Sequence, residues 1–151
     1  MRIISGFYRG KKILEPKDKN TRPLKDLTKE SIFNILNHSN KFKISIENSI
    51  VLDLFSGVGS FGLECLSRGA GYVTFVENYS GVLSILKNNL NNLNISEKYE
   101  IIEEDLISNF PIKKIRQKFN IIFLDPPYKE KRLPNIIDDI FQEKILNKNG
   151  I

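Results

Sequence analysis

The 151-residue chain predicts an α/β protein with a doubly wound, mostly parallel sheet. Three observations carry this. From Ile50 onward, short apolar runs alternate with helical stripes. A glycine-rich turn follows the first run. Acidic residues Asp53, Glu77, Asp105 and Asp125 stand at the carboxyl ends of four predicted strands, where open α/β sheets bind ligands. The agreement of four such positions weighs more than any one motif.

Residues 1-48 hold 11 Lys/Arg against 5 Asp/Glu, net +6, and residues 49-151 hold 12 against 13, net −1. This divides the chain into a basic N-terminal arm, 1-48, and a second domain, 49-151. Alternation in Arg2-Ile3-Ile4-Ser5 and Lys12-Ile13-Leu14 predicts a short hairpin turning at Arg9-Gly10. Lys11, Lys12, Lys17, Lys19, Arg22 and Lys25 lie nearby, and such a face suits phosphates. The competing reading is a solvated lysine-rich surface. A helix follows through Glu30 to Leu36, and Asn37 to Asn48 is the predicted linker.

Beyond it the expected order is strand 50-55, helix 59-68, strand 72-77, helix 80-94, strand 99-104, strand 119-124 and helix 132-147. The first helix opens on Gly57, Gly59 and Gly62, spaced as G-x-G-x-x-G, and carries Leu63 and Leu66. Cys65, among these leucines and Ala70, reads as a small buried hydrophobe. Leu83, Leu86, Leu90 and Leu93 recur at helical spacing and mark core. The run Asn88 to Asn92 reads as that helix's polar face or frayed end. Lys113, Lys114, Arg116 and Lys118 form a basic loop before the strand that leads to Asp125.

The chemistry concentrates at the strand ends. The glycine spacing with Glu77 twenty residues beyond Gly57 matches a dinucleotide fingerprint, but Asp53 precedes the loop. A carboxylate there repels a pyrophosphate and favours a cationic ligand such as S-adenosylmethionine, with its ammonium and sulfonium. Asp53 bonding loop amides is the bland alternative. Phe55, Gly57 and Gly59 shape the same loop. Glu77 can accept both ribose hydroxyls, and Asp105 the adenine amine, with Glu104 its competitor. Asp125-Pro126-Pro127-Tyr128 is a rigid corner of carboxylate, prolines and ring. It suits methyl transfer to a nucleobase NH2: Asp125 and the Pro126 carbonyl accept the amine hydrogens, and Tyr128 stacks on the base. An ordinary Pro-rich strand exit is the alternative.

These motifs, in this order, resemble class I S-adenosylmethionine-dependent methyltransferases. The opening, Met1-Arg-Ile-Ile-Ser-Gly6, Arg9-Gly10, Thr21-Arg22-Pro23 and Glu30 to Leu36, closely resembles the RsmD family, bacterial guanine-N2 methyltransferases of small-subunit (16S) ribosomal RNA. The resemblance spans the chain. It implies S-adenosylmethionine bound by Asp53, Phe55, Gly57, Gly59, Glu77 and Asp105, with Asp125, Pro126 and Tyr128 catalytic. Arg9, Lys11, Lys12 and Arg22 are then expected to bind ribosomal RNA or a small-subunit assembly intermediate. Family members continue with further strands, so an incomplete sheet is expected, with Ile121 to Leu124 at or near its edge; the full-length family fold implies a monomer.

Other classes are less well served. No apolar stretch reaches membrane-spanning length, no signal-peptide core opens the chain, and a cytoplasmic enzyme is expected. A single Cys65 excludes an internal disulfide, and His38, the one histidine, has no companions for a metal and reads as a helix-end surface residue. A DNA adenine-N6 or cytosine-N4 methyltransferase, an NAD-dependent oxidoreductase and a non-catalytic RNA-binding module stay open as alternatives.

Overall fold

The computed structural model describes residues 1–16, 24–38, 44–108, 110–111 and 113–151. The apolar runs form β1 (Ile50–Leu54), β2 (Tyr72–Val76), β3 (Tyr99–Ile102) and β4 (Ile121–Leu124). All pairings are parallel, in the order β3-β2-β1-β4. The chain thus steps outward from β1 through β2 to β3 and returns to pair β4 on the other side of β1. That reversal is the switch point at which such sheets open a crevice. In register, Asp53 lies opposite Phe123 and Leu54 opposite Leu124.

Helices α1 (Asp26–His38), α2 (Ser60–Ser67), α3 (Ser80–Asn92) and α4 (Leu133–Gln142) cover the sheet. Alternate strand residues point to opposite faces. Val51, Val73 and Phe75 pack with Phe33 of α1, Phe61 and Leu63 of α2, and Leu86 and Leu90 of α3. Leu52, Leu54 and Val76 pack with Ile136 and Ile140 of α4. The sheet is therefore doubly wound, as expected. Gly62 explains how closely α2 approaches: a Cβ there would stand 2.3 Å from Phe75 Cε1.

Boundaries shift where local chemistry overrides the pattern. The last helix stops at Gln142, not 147, because Lys144 takes φ 52° and the chain turns back, Ile145 O accepting from Phe119 N and Asn147 N donating to Phe119 O. β3 ends at Ile102, and Glu103 and Glu104 turn out to ion pairs with Lys87 and Lys114. β4 is one of the two outer strands, with β3 at the other end, and on its far side Ile122 N donates to Ile151 O and Ile151 N to Asn120 O. His38 is exposed in the last turn of α1 and Cys65 is fully buried.

The asparagine run needs correction at one position. Asn89 is 2% exposed, not on a polar face. It falls on the Leu86–Leu90 stripe, and its amide is fully used: Oδ1 accepts from Leu14 N, and Nδ2 donates to Leu14 O and Val58 O. One side chain thereby ties α3 to the arm and to the glycine loop.

The arm is a short hairpin with an antiparallel bridge between Arg2 and Lys12. Ile3 and Ile13 enter the same core cluster as the sheet. A buried charge cluster fastens it. Glu64 of α2, wholly buried, accepts from Ile4 N and Ser5 N and pairs with Arg68. Lys29 of α1, equally buried, donates to Arg2 O at 2.6 Å and lies 3.7 Å from Asp26 and 3.8 Å from Glu64. Burial lowers the Lys29 pKa, and the neighbouring carboxylates oppose that shift. Glu64→Ala should therefore destabilise the fold by about 3–5 kcal/mol, since it strands a buried cation and two amides. Urea unfolding of the variant measures this; a loss below about 1 kcal/mol would show the cluster to be dispensable.

Candidate active site

A cleft of about 880 Å³ opens at the carboxyl ends of the strands. It brings together Asp53, Phe55, Gly57, Glu77, Asp105, Asp125, Pro126 and Tyr128, every described residue expected for cofactor and chemistry except Gly59, which is buried at the N-cap of α2. Convergence follows from topology: parallel strands all end on one edge, so residues far apart in sequence meet there.

The glycine loop forms the floor. Phe55 and Gly57 take φ 58° and 54°, and Gly59 takes φ 82° with no space for a Cβ beside Leu86 Cδ1. A phenylalanine in the left-handed region is strained, and the surrounding contacts must hold it. Asp53, 2% exposed, accepts from Gly62 N at 3.0 Å in the first turn of α2. Burial, with smaller contributions from the Asp125 and Glu77 charges, pushes its pKa up to about 8, although the Gly62 amide pulls the other way. The carboxyl therefore keeps its proton at neutral pH. Ser56 Oγ is buried against the cleft without a hydrogen-bond partner among the described residues.

Glu77 reaches from β2 to the loop. Its carboxylate accepts from Gly57 N at 2.8 Å, Asn78 N at 2.9 Å and Tyr79 N at 2.8 Å. Of roughly four acceptor positions on a carboxylate, these bonds use three. A grip on two ribose hydroxyls would thus displace a loop amide, and one hydroxyl can be taken as the site stands. Asp105 accepts from Ile107 N and from Ser108 Oγ, and these bonds, Ser108 first, lower its pKa. Glu104 also lines the cleft but is paired with Lys114.

Asp125 differs from these. No hydrogen bond to its carboxyl exists among the described residues, while its backbone N donates to Leu54 O at 3.4 Å, fixing the corner to the end of β1. Partial burial raises its pKa. Tyr128 is 88% exposed at the rim. Between this corner and α2, the Phe123 and Phe61 rings stack at 3.9 Å, and Phe33 continues the stack at 5.1 Å.

Sequence reasoning missed the wall opposite. Leu24, Lys25 and Thr28, at the entrance to α1, line the cleft, so the arm is part of the site. Lys25 is the one cationic side chain among the described lining residues. It was counted with the phosphate-binding face, and no spacing signal marks it as a cleft residue. Arg9, Lys11 and Lys12 are exposed on the hairpin and do not line the cleft; Arg22, with Lys17 and Lys19, lies outside the described residues. No group of three or more His, Cys, Asp or Glu suited to a metal occurs among the described residues, and no helix there is long and apolar enough to cross a membrane.

Comparison with known proteins agrees along the entire length. The family model described as conserved hypothetical protein 95 matches residues 1–151. The putative rRNA methyltransferase YlbH of Bacillus subtilis is 33% identical over 151 residues, covering 99% of this chain and 79% of that protein. Ribosomal RNA small subunit methyltransferase D of Haemophilus influenzae is 34% identical, covering 100% and 76%. The solved structure of the putative methyltransferase yhhF from Escherichia coli superposes with a TM-score of 0.77 at 31% identity, over 99% of this chain and 74% of that one. With the strand order, the glycine loop and the proline corner in place and the whole chain matched, the protein belongs to this family, the RsmD family of α/β methyltransferases.

Proposed function

We propose that this protein is an S-adenosylmethionine-dependent methyltransferase that modifies a guanine N2 amine in small-subunit ribosomal RNA. The observation that carries the reading is the open carboxyl of Asp125, held beside Pro126 and Tyr128 in the same cleft as the glycine loop and Glu77. Relatives named as small-subunit rRNA methyltransferases support the substrate class.

The methyl donor is a zwitterion with an added sulfonium, and the cleft offers a partner for each part. Carboxyl groups surround the cationic portions. Lys25 suits the α-carboxylate, and the unpartnered Ser56 hydroxyl supplies a further polar contact. Glu77 takes ribose and Asp105 the adenine amine. The donor brings the electrophilic methyl group; the protein's own task is to prepare the nucleophile. An aromatic NH2 is a poor one because its lone pair is delocalised. Hydrogen bonds from that NH2 to Asp125 and the Pro126 carbonyl localise the pair, aim it at the methyl carbon and stabilise charge developing on nitrogen. Tyr128 stacks on the extruded base, worth about 1–3 kcal/mol. With the donor bound, that nitrogen would take the methyl group as the sulfonium leaves as a neutral thioether, and the proton of the methylated amine would then pass to water.

Asp53 gives the cofactor assignment a pH signature. Its folded pKa near 8 exceeds the unfolded value, so between about pH 4 and 8 the folded state holds a proton that the unfolded state releases, and stability falls as pH rises. A cationic ligand favours the ionised form. Affinity for S-adenosylmethionine should therefore rise towards pH 8, by at most about tenfold per pH unit. Asp53→Asn, which keeps an acceptor for Gly62 N, should flatten both pH dependences, stabilise the apo protein at pH 8 and weaken cofactor binding. Calorimetry across pH tests this, with NADH run alongside; tighter binding of NADH would favour the oxidoreductase instead.

Asp125→Ala should leave cofactor affinity near wild type and remove most turnover on small ribosomal subunits or their assembly intermediates, because its bonds strengthen in the transition state. In the wild type, turnover should decline on acidification through a pKa above the ordinary carboxylate range, as protonation removes an acceptor. Nucleoside mass spectrometry identifies the product. Label in N6-methyladenine or N4-methylcytosine would transfer the assignment to another base, and cofactor binding with no label in any nucleic acid would sink the enzymatic reading.

A further inference from the structure

The hairpin tip presents an aromatic ring that the site does not use. Phe7 is 86% exposed, and Arg9, Lys11 and Lys12 around the same turn are exposed without an ion pair among the described residues. The backbone beneath it is fixed. Gly6, at φ 84°, lies so close to α2 that a Cβ would come within 1.8 Å of Ser67 O. Phe7 N donates to Ser67 O at 2.7 Å and Tyr8 N to Ser67 Oγ at 3.0 Å, while Gly10 N closes the hairpin on Ile3 O at 2.9 Å. The ring is thus held outward by a rigid turn, so little order remains to be gained on binding. Glu64, the acid of α2 on this side, is buried and neutralised by Arg68, which leaves the tip positive.

Ser67 ends α2, whereas Ser60, which begins it, lines the cleft. An eight-residue helix spans about 12 Å, so the tip lies far from the corner that takes the reacting base. A second base is needed to use it. Resting on the reading of the arm as an RNA surface, we propose that Phe7 is a stacking platform for an unpaired base of the RNA, flanked by phosphate contacts from Arg9, Lys11 and Lys12 and remote from the methylated nucleotide. Aromatic faces interleaved with cations are the means by which proteins hold single strands. The uncompensated positive charge favours an RNA strand over an apolar protein partner or a second copy of the chain.

The chain contains no tryptophan, so Phe7→Trp installs a sole indole reporter. Titration with a single-stranded RNA 20-mer should quench its emission with affinity at or above that of the wild type, and the matching duplex should quench it less. Phe7→Ala and Phe7→Leu should both weaken single-strand binding about 5- to 100-fold with an unchanged salt slope, because a stack is lost and no phosphate contact is. S-adenosylmethionine affinity, as a control on folding, should stay constant. If Arg9→Glu, Lys11→Glu and Lys12→Glu together alter neither RNA affinity nor salt slope, the arm is not the RNA surface. If they do while Phe7→Ala and Phe7→Trp report nothing, the stacking proposal alone is overturned. Retention of binding by Phe7→Leu, or loss of a concentration-dependent dimer in Phe7→Ala, would overturn it in favour of a protein contact.

Discussion

The glycine loop between β1 and α2 is held from three directions, and the arrangement of the cleft depends on that grip. Asp53 of β1 takes the Gly62 amide from below, Glu77 takes the Gly57 amide from β2, and Asn89 of α3 donates to Val58 O. None of the three could act if the loop stood further from the sheet. Gly59 and Gly62 permit the approach, since a side chain at either would collide with Leu86 or Phe75. The strained φ at Phe55 persists because its neighbours over-determine it. The floor of the cleft is thereby held in place by the protein's own bonds, and for the cofactor proposed above, pre-organisation of that kind lowers the cost of binding.

The arm and the catalytic sheet are one mechanical unit for a related reason. Lys29 and Glu64 meet in the interior, and Glu64 also takes the amides of Ile4 and Ser5. Well-packed apolar residues often equal a buried ion pair in stability, so stability alone does not account for charges at this place. What they add is direction: the amides and the Arg2 carbonyl are met at fixed points, so the hairpin docks in one register. Asn89 repeats the device on Leu14. Because α1 enters beside the cleft with Leu24, Lys25 and Thr28, anything that shifts the hairpin alters the cleft wall.

Much of this was legible in the sequence, and the exceptions share a cause. Strands β1 and β2 are recognisable as mostly apolar runs, each interrupted by one polar residue, Asp53 and Thr74, because parallel strands are buried on both faces, and the acids towards their ends follow from the same runs. Helix α3 was legible through its leucine stripe. Asn89 was not, because a polar residue on an apolar stripe looks like pattern noise until its partners, 75 residues away at Leu14 and 31 away at Val58, are known. Lys29 was hidden in the same way, four residues before Phe33 on the buried side of α1. The end of α4 depended on a reversal at Lys144 that helical spacing does not encode. Asp53 was found, but its protonation state was not, since that follows from burial, which only the fold determines.

An ionised Asp53 would attract a cationic ligand, but burial pushes its pKa up to about 8, so the unliganded carboxyl is mostly protonated at neutral pH. Asp53, Glu77 and Asp105 all spend acceptor capacity on the protein's own donors, as a structural carboxyl does. Asp125 does not, among the described residues. The Asp125 side chain is exposed to the cleft while its backbone is fixed to the end of β1, so its oxygens stay open to an incoming donor at a defined place. On the proposed reading, an amine that donates both hydrogens to Asp125 and the adjoining Pro126 carbonyl is met there, and a ligand that only accepts hydrogen bonds is not. In the proposed function Asp125 is thus the position from which a substrate NH2 is read, while Asp53, Glu77 and Asp105 hold the cleft in shape through the bonds they make to its own amides and meet the cofactor with the acceptor capacity that remains.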